Sequence, residues 1–493
     1  MSPDTAQRES ALPTNDMLIG AEWISEGTGG RYDHVNPATG KVQRSIALAG
    51  PSEIDRAVAA ARTAFPKWKA LPSNQRRDIM LRIAELLRRD TDELAGIATL
   101  ENGAPSTFTP ILAGELPAEY FTYYGGWVDK LCGEAIPVYP MQALDYTIPE
   151  PYGVVAVIIP WNGPLTSIGQ KVAAALAAGN CVVLKPSELA PFTSLRFAEL
   201  CLEAGLPPGV LNVVPGGPKG GEALVSHPGV DKISFTGGGA TATKVLQGAA
   251  KSLTPVILEL GGKSANLVFE DADLDKAVAM AVQTSVATLS GQGCVLPTRL
   301  IVQDSVYDEV IEQVVDLTES LTVGDPWDPA TVVGPVVSAH HCSRIEGVIA
   351  RARQEGAGEL LTGGERVGGE LSGGYYLQPT IFGDVDNRSH LAQEEIFGPV
   401  LSVLRFRNED EAVSLANDTK YGLGAFVHTT NLTTAHNVVR RLDAGYIGVN
   451  GFALMPPNAP FGGVKQSGYG REGGSDGIRE FVQSKNVYID LES

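Results

Sequence analysis

The sequence predicts an α/β protein built around two parallel sheets, and three observations carry that expectation. Between Pro151 and Gly262, short β-branched runs recur with Ala-rich, Leu-rich or Gly-bounded stretches between them, each long enough for a helix. Apolar runs with helical spacers are the pattern of βαβ units whose sheet is buried on both faces. A second α/β rhythm follows from Ser264 to about Gly463. The chain has 493 residues, and a single hydrophobic core seldom grows beyond roughly 250–300, so two or three domains are expected.

Residues 1–50 are polar and Gly-rich, which suggests a frayed start followed by short strands. From Ser52 to Leu100, in EIDRAVAAARTAF and RRDIMLRIAELLRR, small residues and Leu recur at three and four. That spacing predicts amphipathic helices, with Pro51–Ser52 as a helix start. The runs VVAVIIP (154–160), CVVLKP (181–186), VLNVVPG (210–216), KISFTG (232–237) and VILELGG (256–262) are the expected strands of the first sheet. Ligands bind beyond the carboxyl ends of such strands, so Pro160–Gly163 and Gly237–Gly239 are the first places to look for chemistry. ANLVFE, RLIVQ, PVLSVLRF, GAFVHT and GYIGVN are the expected strands of the second sheet, with SAHHCSRIEGVIARARQEG as a helix between them. Residues 134–150, with three prolines, and the tail NVYIDLES read as extended edge segments. Such strands are easiest to explain if they complete another subunit's sheet.

Composition excludes several classes of function. With 43% hydrophobic residues the chain is not largely disordered. Thirty-eight basic against 57 acidic residues give a net charge of −19 with no basic run. That balance argues against a grip on nucleic acid or on an anionic membrane surface. Cys132, Cys181, Cys201, Cys294 and Cys342 stand far apart, with no CxxC and no Cys/His ligand spacing. They read as reduced thiols of a cytoplasmic protein, and no metal site is expected. The N-terminal MSPDTAQRES has no apolar core, so no signal peptide is expected. The longest apolar stretch, around Val154–Pro160, falls far short of the ~20 residues of a membrane helix.

Cys294 lies in SGQGCVLPTR just after Gly291 and Gly293, which would let backbone amides approach a reacting carbonyl. A buried structural cysteine is the alternative, and a nucleophilic role requires a base or an electropositive site nearby. Glu259 interrupts a buried strand end, where a carboxylate is expensive unless hydrogen-bonded or functional. Trp161 and Asn162 end the first strand of the parallel sheet; Asn162 either caps the next helix or turns its amide into the cleft. Lys185 in LKPSE ends another strand, where its ammonium suits a cofactor hydroxyl or phosphate, or is simply solvated.

At this point the residues resemble a family. PWNGP (160–164), KPSE (185–188), FTGG (235–238), LELGGK (258–263), GQGC (291–294), EEIFGP (394–399) and PFGGVKQSGYGRE (460–472) stand in the order and approximate spacing of the NAD(P)-dependent aldehyde dehydrogenase superfamily. The resemblance implies a Rossmann-like cofactor domain at 1–133 and 152–260, a second α/β catalytic domain at 261–463, and a small β oligomerisation extension at 134–151 and 478–493. It implies Cys294 as the nucleophile that forms a thiohemiacetal, with the Asn162 amide and the Cys294 backbone N–H as the oxyanion hole. Glu259 becomes the base that activates water to hydrolyse the thioester. Lys171 and Glu472 match a proton-relay or positioning pair, with a structural salt bridge as the alternative.

For the cofactor, the resemblance places Lys185 and Glu188 at the adenosine ribose and the Thr236–Gly237–Gly238 turn at the pyrophosphate. Glu395 would hold the nicotinamide ribose, with Phe397 packed beside it and Trp161 lining the same cleft. A carboxylate accepts from both free ribose hydroxyls and repels a 2′-phosphate, so Glu188 favours NAD over NADP. Departures are Leu289, where relatives often carry Asn, Leu296 and Pro297 after the nucleophile, and Gly238, where Ser is frequent. They are expected to alter local rigidity and tunnel shape without removing a group that the chemistry needs. Gly163, Thr166, Ser167, Gln170, Gly293 and Val295, with Phe452, Leu454 and Met455, suggest a roomy apolar tunnel without Lys or Arg. An uncharged aliphatic, terpenoid or aromatic aldehyde suits it, and a homodimer or homotetramer is expected.

Overall fold

The computed structural model describes residues 12–491 except 141 and 454, so the leader reading of the first ten residues and the place of Leu454 lie outside the described residues. Five of the eight strands of the first sheet are the five β-branched runs. The order is Gly468–Tyr469, Val256–Leu260, Lys232–Gly237, Val154–Ile158, Cys181–Lys185, Leu211–Val213, Met17–Ile19 and Glu22–Ile24. The five runs are mutually parallel. Val154–Ile158 and Cys181–Lys185 are buried at every position, which is why they read as continuous apolar stretches rather than alternating ones. Short antiparallel strands close both edges.

From Val154 the chain builds outward through Cys181–Lys185 to Leu211–Val213, then returns to lay Lys232–Gly237 on the other side of Val154–Ile158. That reversal opens a crevice beyond the carboxyl ends of Val154–Ile158 and Lys232–Gly237, the position where such sheets take their ligands. Trp161, Asn162 and the Thr236–Gly238 turn all sit there.

A second sheet of seven strands runs Glu359–Thr362, Thr380–Gly383, Val400–Phe406, Arg299–Gln303, Ala265–Val268, Gly424–His428 and Tyr446–Val449. All its pairings are parallel except that of Glu359–Thr362. The edge segments form a third, antiparallel sheet of Val482–Asp490, Ala143–Pro151 and Ala135–Ile136. It leaves Leu144, Ile148, Tyr488 and Ile489 exposed. The helix Gly474–Arg479 spans position 478, so the terminal strand begins four residues after the expected boundary. Residues 468–469, outside the expected segments, join the first sheet.

The helices follow from their ends and faces. Pro51–Lys69 starts at a proline, with the Glu53 carboxylate accepting from the Gly50 amide at 2.9 Å and from Thr28. Ile54, Ala57, Val58 and Ala61 form its buried stripe. Pro164–Ala177 is different: every residue is buried, between the sheet and the helix Leu116–Gly125. Its one charged residue, Lys171, therefore has to find a partner inside the protein.

Candidate active site

The loop that leads into Cys294 is wound tightly. Leu289, Ser290 and Gly291 are three successive left-handed residues, at φ 51°, 54° and 73°. Each non-glycine residue there costs about 1–2 kcal/mol, so the surroundings must hold the turn. Gln292 does so: its Nε2 donates to the Leu289 carbonyl at 2.9 Å, and its Oε1 accepts from the Val337 amide at 2.9 Å. Ser290 Oγ donates to the Gly334 carbonyl at 2.8 Å. A Cβ on Gly291 would stand 2.2 Å from the Gly398 carbonyl oxygen, so only glycine fits. The Leu289 departure thus has a physical consequence, because Asn tolerates the left-handed region better than Leu. Sequence reading missed Ser290 and Gln292; a Gln between two glycines was the only signal.

Cys294 is half-buried in an apolar cluster with Val295, Phe426, Phe461, Met280, Tyr446, Phe452 and Met455. Burial, followed by the charges of Glu395 and Glu259, pushes its thiol up to about 12. Of the two activating devices the sequence demanded, a base or an electropositive site, the surroundings offer carboxylates. Gly262 passes so close that a Cβ there would lie 2.8 Å from the Cys294 carbonyl oxygen, which brings the LELGGK strand end against the loop that leads into Cys294. Asn162 Nδ2 donates to the Gln292 carbonyl at 2.9 Å, while Gly163 occupies the cap position of the following helix. Asn162 is therefore not that helix's cap, which was the ordinary expectation for an Asn there; its amide faces the loop that leads into Cys294.

Glu259 lies near the end of Val256–Leu260, paired with Thr236 on one side and Gly468 on the other. It is 4% exposed, and among the described residues neither carboxylate oxygen has a hydrogen-bond partner. Burial and the charge of Glu472 raise it well above the usual carboxylate range, against the opposing pull of Lys171 and Arg471. Lys171, fully buried, donates to Glu472 and to Ser234 Oγ at 3.1 Å. Arg471 donates to the carbonyls of Gly463 and Gly470 at 2.9 and 2.8 Å. A Cβ on Gly462 would stand 2.7 Å from Glu259 Oε1, so glycine there lets the carboxylate reach the backbone of that loop. Ser234 and Arg471 were not singled out from the sequence, since a hydroxyl inside a strand run and an Arg beside a chosen Glu give no pattern of their own.

The crevice fits a dinucleotide. Lys185 is buried, and among the described residues its ammonium donates only to the Pro186 carbonyl, at 3.3 Å. Gly217 and Gly221 leave room beside the pair: added Cβ atoms would lie 3.8 Å from Glu188 Oε1 and 3.4 Å from Lys185 Cε. Gly238 caps the helix Gly239–Ala249 without a side chain, with open space at Gly238 and Gly239, so the helix end presents amides to an anion. At the other end, Trp161 meets the ring of Phe397 edge-on at 5.3 Å and that of His341 at 5.4 Å. Phe397 is left-handed, at φ 57°, and its carbonyl accepts from His341 Nε2 at 2.6 Å. Glu395 accepts from the Gly262 amide at 3.1 Å, and burial raises its carboxyl to about 7.

Thr166, Ser167 and Gln170, expected from the sequence to line a tunnel, are buried on the helix Pro164–Ala177. The Gln170 amide donates to Tyr120 Oη and Met455 Sδ, both at 3.4 Å, and Tyr120 Oη donates to the Met455 carbonyl at 2.9 Å. Among the described residues, no cluster of His, Cys, Asp and Glu could hold a metal ion, and no helix is long and apolar enough to cross a membrane.

Comparison with known proteins places the chain in a family. The aldehyde dehydrogenase family model matches residues 23–487. An aldehyde dehydrogenase of Emericella nidulans is 41% identical over 479 residues, covering 96% of this chain and 95% of its own. The crystal structure of a betaine aldehyde dehydrogenase from Staphylococcus aureus, in complex with NAD+, superposes with a TM-score of 0.96 at 33% identity, covering 99% of this chain and 96% of that one. PnpE from Pseudomonas sp. WBC-3 gives a TM-score of 0.95 at 39% identity, with 98% of each chain covered. A family model that spans nearly the whole chain and relatives of this likeness show that the chain belongs to the aldehyde dehydrogenase family.

Proposed function

We propose that the protein is an NAD-dependent, non-acylating aldehyde dehydrogenase that uses Cys294 as nucleophile and Glu259 as the base for hydrolysis. Bound NAD supplies the hydride acceptor. Lys185 and Glu188 hold the adenosine ribose, the amides at Gly238–Gly239 take the pyrophosphate, and Glu395 with Phe397 and Trp161 place the nicotinamide end. The S. aureus relative solved with NAD+ and PnpE, solved in complex with nicotinamide adenine dinucleotide, support this cofactor.

The Cys294 thiolate adds to the aldehyde carbon, forming a C–S bond while the carbonyl π electrons move to oxygen. Asn162 Nδ2, turning from the Gln292 carbonyl, and the Cys294 amide donate to that oxyanion. Loss of hydride from the thiohemiacetal carbon restores the C=O bond and leaves a thioester on Cys294. Glu259 then takes a proton from water as its oxygen attacks the thioester carbon. The C–S bond breaks, the acid departs and the Cys294 thiolate is regenerated. Lys171 and Glu472 set the charge that Glu259 feels and offer its proton a way out.

One observation carries this reading: a buried Glu259 without a hydrogen-bond partner among the described residues, whose strand ends two residues before Gly262 comes against the Cys294 backbone. A CoA-acylating enzyme needs no such base, because a thiol acceptor replaces water. Nicotinamide absorbance on adding NAD and a simple aldehyde, with and without CoA, tests the choice. Turnover without CoA, giving the free acid, is the expected result; strict dependence on CoA contradicts it.

The apolar and aromatic cluster around Cys294 supports an uncharged aliphatic, terpenoid or aromatic aldehyde, to be ranked by kcat/KM over a panel. The exposed apolar residues of the three-stranded sheet support assembly into a homodimer or homotetramer, which light scattering distinguishes. Sparse, unpaired thiols fit a cytoplasmic protein.

A further inference from the structure

The segment that carries Glu188 is held by a part of the chain that no step of the chemistry uses. Strands Arg31–Asn36 and Lys41–Ala47 form an antiparallel hairpin, and His34, 1% exposed, turns its ring onto the loop after Lys185. Its Nε2 lies 2.9 Å from the Leu189 carbonyl oxygen, and its Nδ1 lies 3.0 Å from Gln43 Nε2. A carbonyl can only accept and an amide nitrogen can only donate. The ring therefore carries its single proton on Nε2, where the Leu189 carbonyl accepts it. Burial keeps it neutral by lowering its pKa to about 4. Gln43 is itself anchored, donating to the Leu100 carbonyl at 2.7 Å, and the Phe192 ring packs 4.8 Å from the imidazole.

The same stretch is pinned again four residues on. The fully buried Glu101 accepts from the Phe192 amide at 2.6 Å, from the Thr193 amide at 3.2 Å and from Thr193 Oγ1. Between Lys185 and these anchors, Ser187 makes only local bonds among the described residues: its Oγ accepts from the Leu189 amide and its carbonyl from the Ala190 amide, both at 3.2 Å. Those bonds close the turn but do not tie it to the rest of the domain. The His34 bond to Leu189 is the tie next to Glu188.

We propose that His34 is a positioning residue for cofactor binding, its Nε2–H bond to the Leu189 carbonyl fixing the turn that presents Glu188 to the adenosine ribose. The inference rests on Glu188 as the ribose ligand. Without the donor, the Leu189 carbonyl must find water, and the turn shifts to reach it. Two ribose hydroxyls need both carboxylate oxygens in place, so cofactor affinity suffers while the chemistry at Cys294 is untouched.

His34→Leu should therefore raise KM for NAD roughly tenfold, about the worth of one net hydrogen bond. The kcat and the KM for aldehyde should stay within about a factor of two. His34→Gln, whose amide reaches as far as Nε2, should recover most of the loss. In a Glu188→Ala background, His34→Leu should add little. If Glu188→Ala alone leaves KM for NAD unchanged, the ribose reading falls and takes this inference with it. A raised KM in Glu188→Ala but not in His34→Leu overturns the inference alone, as does an equal His34→Leu effect in both backgrounds. Should His34→Leu fail to fold, Gln43→Leu, which frees the ring from its tautomer, must raise KM for NAD in the same direction or the inference is wrong.

Discussion

Lys171 and Glu472 are hydrogen-bonded in a place that water does not reach, although 301 residues separate them in the chain. The bond joins the all-buried helix Pro164–Ala177 to the loop whose residues 468–469 pair with the Val256–Leu260 strand, and the charges of both partners act on Glu259. Removing one partner from such a pair leaves a buried charge, which typically costs about 3–5 kcal/mol.

Lys171→Met should lower stability by roughly that amount. The double variant Lys171→Met/Glu472→Gln, which leaves no unpaired charge, should recover much of it. Urea unfolding of both checks this. Equal losses in the single and double variants would mean that the pair's charge is not what matters.

Asn162→Ala should mainly lower kcat. One oxyanion donor is worth about 2.7–4 kcal/mol at the transition state, a factor of roughly 10²–10³. Because Gly163 holds the cap position, Tm should hardly move. An unchanged kcat with chemistry shown to be rate-limiting would remove Asn162 from the oxyanion hole.

Much of this architecture is legible in the sequence. The five parallel strands could be read because burial on both faces leaves unbroken β-branched runs. Glu259 stood out because a carboxylate inside such a run is costly, and Lys171 is the lone charge in PLTSIGQKVAAALA. Their relationship was not legible, since no local period connects positions brought together by the loop at Gly462–Glu472. Asn162 shows the same limit: a cap and an oxyanion donor look alike until the Gln292 carbonyl, 130 residues away, is placed beside it. Ser234, Arg471 and His34 leave no pattern at all. The roles of Lys185, Glu188 and Glu395 came from family resemblance rather than from periodicity.

Replacing Glu188 with Ala should raise KM for NAD and narrow the preference over NADP. Two ribose hydrogen bonds go, and so does the repulsion of a 2′-phosphate. The ratio of kcat/KM for the two cofactors reports this, and an unchanged ratio would place the discrimination elsewhere.

Activity should climb with pH. Burial and the charges of Glu395 and Glu259 hold the proton on Cys294, while burial and the charge of Glu472 hold that on Glu259. A reaction that needs both deprotonated gains as pH rises. In the free enzyme, kcat/KM should still be increasing at about pH 8.5, the ordinary thiol value. A plateau well below that would show that Cys294 is ionised by a cation.

Rapid mixing of Glu259→Gln with NAD and aldehyde tests the central claim most directly. The substitution keeps the shape and removes the base, so thioester hydrolysis should become the slow step. One burst of NADH per active site should precede a very slow steady state, and mass spectrometry should find the acyl group on Cys294. If Glu259 also helps to deprotonate the thiol, the burst itself slows and recovers partly at higher pH, with the acyl group still trapped. Wild-type steady-state turnover with no acyl group on Cys294 would contradict the account.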